Sequence, residues 1–222
     1  KILAKNVADV LGLTVPAKPA QPINHSIPAD GVAAKFQPKY VDQTIEKSAA
    51  LSMANTPKDS IISRKIAVLA TNGADIAGIN QMKKMLVAAG AVVEIIAPKL
   101  GEIKGDKGGS LKVDKSLMTV SSVLYDAVYL PGGKNSAEAL AKEADAVHFI
   151  NQAYKHCKAI AVDGEATPLL DKTNIAALFN SEKKLPGLIL SGANNDKFSK
   201  SFINAIAMHR FWERENMEKV PA

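Results

Sequence analysis

The chain has 222 residues, 47% of them hydrophobic and 23% charged, which is enough for one α/β domain with an appendage and excludes more than two domains. A formal net charge of +6 is spread with no run of five basic residues, and aromatic residues make up only 5%, so the clustered base and stacking rings of a nucleic-acid-binding face are missing. The single cysteine, Cys157, excludes an internal disulfide and a cysteine zinc cluster and suits a reducing, cytoplasmic compartment; His25, His148, His156 and His209 lack metal-ligand spacing, and no stretch approaches the roughly 18 apolar residues of a membrane span.

Residues 1–13 read as the end of an amphipathic helix, with Ile2, Leu3, Val7, Val10 and Leu11 at helical spacing and Gly12 as its stop. So short a helix is marginal alone and needs a surface to pack on. The chain opens without methionine, inside this pattern and without the apolar core of a signal peptide, so a piece of a longer polypeptide is expected. Over residues 14–62 the composition changes: six of the eleven prolines, Pro16, Pro19, Pro22, Pro28, Pro38 and Pro57, fall here. The pattern is that of an extended arm, too long for a connection inside a compact domain and expected to wrap a partner or link to another domain.

Residues 63–222 alternate strand and helix patterns. Ile66 to Leu69 form an apolar run that ends in the turn Thr71-Asn72-Gly73-Ala74-Asp75; Ile79, Met82, Met85 and Leu86 then recur at helical spacing until Gly90. Val92 to Ile96 gives a second strand, closed by Pro98, before a polar excursion from Gly101 to Gly109 and a short strand around Leu111 to Asp114. Tyr125 to Leu130 is a buried-strand pattern that stops abruptly at Pro131-Gly132-Gly133, and one helix is expected from Ser136 to about His156. Then come a strand at Ala159 to Val162, a helix near Ala166 to Leu170 and a strand near Gly187 to Leu190. A last helix is expected from Lys197 to Arg214, with Phe202, Ile203, Ile206, Phe211 and Trp212 as core and His209 and Arg210 solvated or paired. Strands alternating with helices predict an α/β, doubly wound parallel sheet with helices on both faces.

In such a sheet the carboxyl ends of the strands collect ligands and reactive groups, so the turns at Gly132-Gly133 and Asp163-Gly164-Glu165 locate the candidate site. The elbow Ala161-Val162-Asp163-Gly164-Glu165 lies where a strand-to-helix turn would present a nucleophile, yet Ala161 and Val162 carry none. Asp163 and Glu165 are either capping carboxylates of a structural turn or an acid or base with a shifted pKa. Cys157, flanked by Lys155, His156 and Lys158, falls on the amino side of its strand and reads as a helix-end core residue rather than a nucleophile. Gly132-Gly133 and Asn72-Gly73 offer N–H groups to an anion, but neither Gly-x-Gly-x-x-Gly nor a Walker loop is present, so no nucleotide or flavin site is expected.

Three segments, Lys65 to Asp75, Tyr125 to Gly133 and Ala159 to Gly164, together resemble the DJ-1/PfpI branch of the class I glutamine-amidotransferase-like superfamily. The resemblance implies a flavodoxin-like fold, with a reactive cysteine right after the Ala-Ile of the third segment and an acid on the helix after the first. Here those positions fall at about Ala161 and near Gly78, which implies a degenerate elbow with no catalytic, cofactor-binding or metal-binding residue.

Lys5-Asn6-Val7-Ala8-Asp9-Val10-Leu11-Gly12-Leu13-Thr14-Val15-Pro16, with the proline-rich arm behind it, is similar to the junction ahead of the carboxy-terminal domain of large-subunit haem catalases. That branch of the superfamily lacks the reactive pair. The similarity implies a tetrameric parent that dismutates hydrogen peroxide at a haem, haem ligands that lie outside this chain, and the catalase core and neighbouring subunits as partners. For the piece itself it implies a stabilising role, compatible with holdase-like binding of unfolded clients; a free-standing hydrolase using Asp163 or Glu165 is the alternative.

Overall fold

Two faces of apolar side chains alternating along each strand require a sheet covered twice, and the computed structural model has that form. The structure describes residues 2–15, 32, 48–52, 55–176, 185–191 and 195–216. The chain divides into two compact units, Lys1–Ser48 and Ala49–Ala222.

In the first unit, α1 spans Ile2–Val10. Gly12 turns at φ 65°, its N–H donates to Asp9 O at 3.3 Å, and Leu13 N–H reaches back to Ala8 O at 2.8 Å. This paired closure of the last carbonyls depends on the left-handed glycine. The apolar residues of α1 are not buried within the unit: Ile2 is 81% and Val10 87% exposed. Most of the arm expected over 14–62 lies outside the described residues.

In the second unit, the strands are β1 (Lys65–Leu69), β2 (Val92–Ala97), β3 (Glu102–Lys104), β4 (Ser110–Lys112), β5 (Lys115–Ser116), β6 (Ala127–Leu130), β7 (Ala159–Val162) and β8 (Leu188–Leu190). Six of them form one sheet in the order β5-β2-β1-β6-β7-β8, every pairing parallel. Ile66 and Val68 of β1, Ala127 and Tyr129 of β6, and Ala159 and Ala161 of β7 face one core with Ile79, Met82 and Leu86 of α2 (Ile76–Ala88) and Phe198, Phe202 and Ile206 of the last helix. Ala67, Leu69, Val128, Leu130, Ile160 and Val162 face the other, with Leu140, Phe149 and Ile150, and Leu169 and Leu170 of α5 (Thr167–Leu170). Ile61 belongs to the first of these cores. The doubly wound sheet expected from the alternation of patterns is the one observed.

Three elements differ from the sequence expectation. The helix expected from Ser136 to His156 is two, α3 (Lys134–Leu140) and α4 (Ala144–Lys155). Glu143 is extended at φ −91°, ψ 108°, and the N–H groups of Lys142 and Glu143 turn back to Ala139 O and Leu140 O, so both helices can lay apolar residues on the same sheet face. The excursion after Gly101 and the strand near Leu111 are one antiparallel hairpin, β3 with β4, and Lys115–Ser116 is what joins the main sheet. The last helix, α6 (Asn195–Ala207), stops seven residues before Arg214. His209 turns at φ 67°, and Phe211 N–H is drawn to Cys157 O at 2.8 Å, a tertiary bond that an uninterrupted helix could not make.

Phe202 is buried against the Tyr129 ring at 6.4 Å between centroids. Phe202→Ala is expected to lower unfolding free energy by about 3–5 kcal/mol, whereas Met118→Ala, at an 84% exposed position, should stay within about 0.5 kcal/mol; urea denaturation of both variants measures the difference.

Candidate functional site

All strands of the sheet run the same way, so the turns after β1, β6, β7 and β8 emerge at one edge. The chain moves outward from β1 to β2 and later inserts β6 on the other side of β1, which places the reversal of strand order between β1 and β6. That crevice is closed by backbone. Gly133 has φ 107°, and a Cβ on it would overlap Gly73 O and lie 2.6 Å from Ala74 Cα; a Cβ on Gly73 would lie 2.6 Å from Asn135 Cβ. Asp75 N–H donates to Gly132 O at 2.8 Å, and Thr71 N–H to Ser136 Oγ at 3.0 Å.

The elbow residues occupy two different environments. Ala161 and Val162 are fully buried inside β7, Ala161 paired with Tyr129 on one side and Ile189 on the other. Asp163 is the first residue past the strand, with φ −70° and ψ 150°, an ordinary extended conformation rather than the strained turn of a nucleophile elbow. Its N–H donates to Leu130 O at 2.9 Å, and its carboxylate crosses Gly132, where an added Cβ would lie 3.1 Å from Oδ1. Gly164 N–H donates to Ser191 Oγ at 2.7 Å, and Gly133 N–H to Glu165 Oε2 at 2.7 Å. The two N–H groups best placed to hold an oxyanion are therefore engaged by the chain's own side chains.

Gly78, one turn into α2, donates its N–H to Asp75 Oδ1 at 3.1 Å, so the acid at this end of the helix is Asp75, serving as its N-cap. Burial pushes the Asp163 carboxyl above the usual range, against the pull of the Glu165 N–H; the charges of Asp75 and Glu165 raise it further. Burial, followed by the charges of Asp163 and Asp75, likewise raises Tyr129, which lies buried on β6. In the sequence Asp75 reads only as the end of a turn; an aspartate just ahead of an apolar helical period is the signal that marks it as a cap. Its electrostatic influence on Tyr129 and Asp163 depends on sheet order and had no local signal.

The opposite edge holds Cys157, which is buried at φ 57° with Sγ 3.9 Å from Lys155 O. Asp126 gathers Arg64 at 3.3 Å, His209 at 3.7 Å and Arg210 at 3.9 Å, and accepts Lys65 N–H at 2.9 Å. Among the described residues no three His, Cys, Asp or Glu side chains are grouped to hold a metal ion, and no helix is long and apolar enough to cross a membrane.

The model of a C-terminal domain found in long catalases matches residues 62–216. The chain belongs to that family. Catalase HPII of Mycobacterium avium is 37% identical over 83% of this chain and 27% of its own length. Catalase-2 of Bacillus subtilis is 36% identical over 96% and 29%. Catalase C of Rhizobium meliloti is 32% identical over 98% and 28%. The chain thus spans less than a third of the length of these catalases. A two-domain protein from Anabaena variabilis containing DJ-1/ThiJ/PfpI-like and ferritin-like domains matches with a TM-score of 0.57 at 18% identity, over 63% of this chain and 47% of its own, a likeness of fold alone.

The raised pKa of Asp163 fixes the sign of a pH effect. A carboxyl whose folded pKa lies above its unfolded value contributes stability that is full below the unfolded value and is lost as pH rises through the folded one. Asp163→Asn in this catalase C-terminal domain is therefore expected to raise the melting temperature near neutral pH, with an increment that shrinks as pH is lowered toward about 4. A thermal melt series over that range checks it; a pH-independent fall in melting temperature would contradict it.

Proposed function

We propose that this chain is the accessory tail of a haem catalase, a domain without a reaction of its own that stabilises a peroxide-decomposing core in the same polypeptide and in neighbouring subunits of a tetramer. The observation that carries this reading is the internal use of the elbow. Gly133 N–H is taken by Glu165, Gly164 N–H by Ser191, Asp163 is unstrained, and Ala161, where the resemblance puts the nucleophile, is an alanine buried inside β7. A free-standing hydrolase would have to break the first two contacts before an oxyanion could bind.

Membership of the long-catalase family supports such a parent, and the relatives' greater length is consistent with a core in the same polypeptide. In this reading residues 1–13 close the core's helical region and residues 14–62 link it to the domain at 63–222. The apolar side of α1, exposed among the described residues, where Leu3, Val7, Leu11, Leu13 and Val15 line a cleft of about 510 Å³, supports packing against such a core. The same exposed surface favours a second reading, holdase-like binding of unfolding clients.

A bound haem supplies the peroxide chemistry of the proposed parent, and the described residues here do not fit one. Burial raises the hydroxyls of Tyr125, Tyr129 and Tyr154, against the phenolate an iron would require, and His209 Nε2 is turned toward Asp126. No step is therefore assigned to the group within this chain.

Deleting residues 49–222 from the full-length protein is expected to leave peroxide turnover per haem intact while lowering the thermal inactivation midpoint by about 2 °C or more, the lower end of the shift that about 1 kcal/mol produces in a 150–250-residue domain. Oxygen release from peroxide by the isolated 222-residue chain, or an unchanged midpoint after deletion, would overturn the proposal. Suppression of client aggregation by the isolated chain, lost when residues 2–13 are removed, tests the holdase reading.

A further inference from the structure

The amino edge of the sheet carries more positive charge than its neighbours neutralise. The segment Lys155-His156-Cys157-Lys158 leaves α4 and enters β7 through the left-handed turn at Cys157. Lys158 is only 3% exposed, and its ammonium donates to Ser122 O. Arg214, also buried, fastens the chain beyond α6 beneath this turn: Nε donates to Pro186 O at 2.6 Å, Nη1 to Lys158 O at 2.8 Å, and the guanidinium lies 4.3 Å from the Tyr154 ring centroid. Its bonds, with Phe211 N–H on Cys157 O, bring Arg210 and Trp212 alongside Lys155 and Lys158.

The result is a cleft of about 220 Å³ lined by Val123, Lys155, His156, Lys158, Arg210 and Trp212, together with the Cys157 turn. Among the described residues no carboxylate lines it. Asp126, the acid that reaches Arg210, is already shared with Arg64 and His209. Among the described residues the Arg210 guanidinium is engaged through Nη1 alone, on His209 O at 2.9 Å and Asp126 at 3.9 Å, which leaves further donors of its fork for a ligand. We propose that this cleft is a binding site for a small oxyanion, a phosphate group or its monoester, held by Arg210, Lys155 and Lys158 against the Trp212 and Val123 walls.

Three independent features agree with it. The donors are of the kinds that recognise phosphate, a planar fork and compact ammonium groups. Lys158 is buried and Arg210 has a side chain only 16% exposed, so both are held in place before a ligand arrives. The groups also disfavour one another's charge. Burial and then the Arg210 charge lower Lys158 to about 8, and burial, Lys158, Lys155 and Arg210 lower His156. A dianion in the cleft reverses each of those repulsions.

Trp212 is the only tryptophan in the chain, so its fluorescence reports the cleft directly. The test is to titrate the 222-residue chain with inorganic phosphate, and separately with glycerol phosphate, at ionic strength held constant with chloride. A saturable change with phosphate that chloride does not produce is expected, and a lower midpoint for glycerol phosphate would assign the site to organic monoesters rather than free phosphate. Arg210→Gln should raise the midpoint about tenfold or more, and the exposed Lys155→Gln several-fold. Because Arg210 also contacts Asp126, the Lys155 variant and the wild-type titration keep the result decisive if Arg210→Gln folds poorly. A non-saturating drift, a change that chloride produces equally, or midpoints unchanged in both variants, would overturn the site.

Discussion

At the centre of the sheet β1 and β6 lie side by side, Ile66 beside Ala127 and Val68 beside Tyr129, and the turns that follow them must leave by the same edge. They do so by a backbone contact that has no room for a Cβ: Gly133, at φ 107°, lies on Gly73 O and Ala74. That contact organises what surrounds it. It sets Gly132 O to receive the Asp75 N–H at the start of α2, and it presents Gly133 N–H to Glu165, which ties the turn after β7 back to the turn after β6. The position an open α/β sheet usually gives to a ligand is thereby filled by the chain itself.

The same geometry explains why acidic groups at this edge act as structure. Asp75 caps α2, Glu165 accepts a backbone N–H, and Asp163 is held half-buried between the two, with its carboxyl pushed up by burial and by their charges. Cationic groups collect instead at the amino edge, where Arg64 and Arg210, with the His209 imidazole beside them, converge on Asp126, and Lys158 and Arg214 are buried nearby. Basic residues spread evenly along the sequence are thus gathered by the fold, several of them at the amino edge, while Asp75, Asp163 and Glu165 meet at the carboxyl edge.

The sheet was legible because β1, β6 and β7 are short apolar runs ended by turn residues, and each alternates cleanly between the two cores. The break at Glu143 was not, since Ala141-Lys142-Glu143 carries neither Gly nor Pro and its cause is the need to lay two helices on one face. The early end of α6 was hidden for a related reason. Met208 to Phe211 keep helical composition, and the chain leaves the helix to satisfy Cys157 O, a partner some fifty residues away. At the candidate site the turns at Gly132-Gly133 and Asp163 were readable from strand endings. The blocking contacts of Glu165 and Ser191 were not, because they join separate turns that only the strand order brings together.

Family membership is shown by the match over residues 62–216, and the self-occupied elbow supports the proposal of a stabilising tail on a haem catalase core. Its most direct test is the intact mass and Soret absorbance of the native gene product. The account predicts a polypeptide several times the 23.5 kDa of this chain, carrying a haem band. A native product of 23.5 kDa with no Soret absorbance would contradict it.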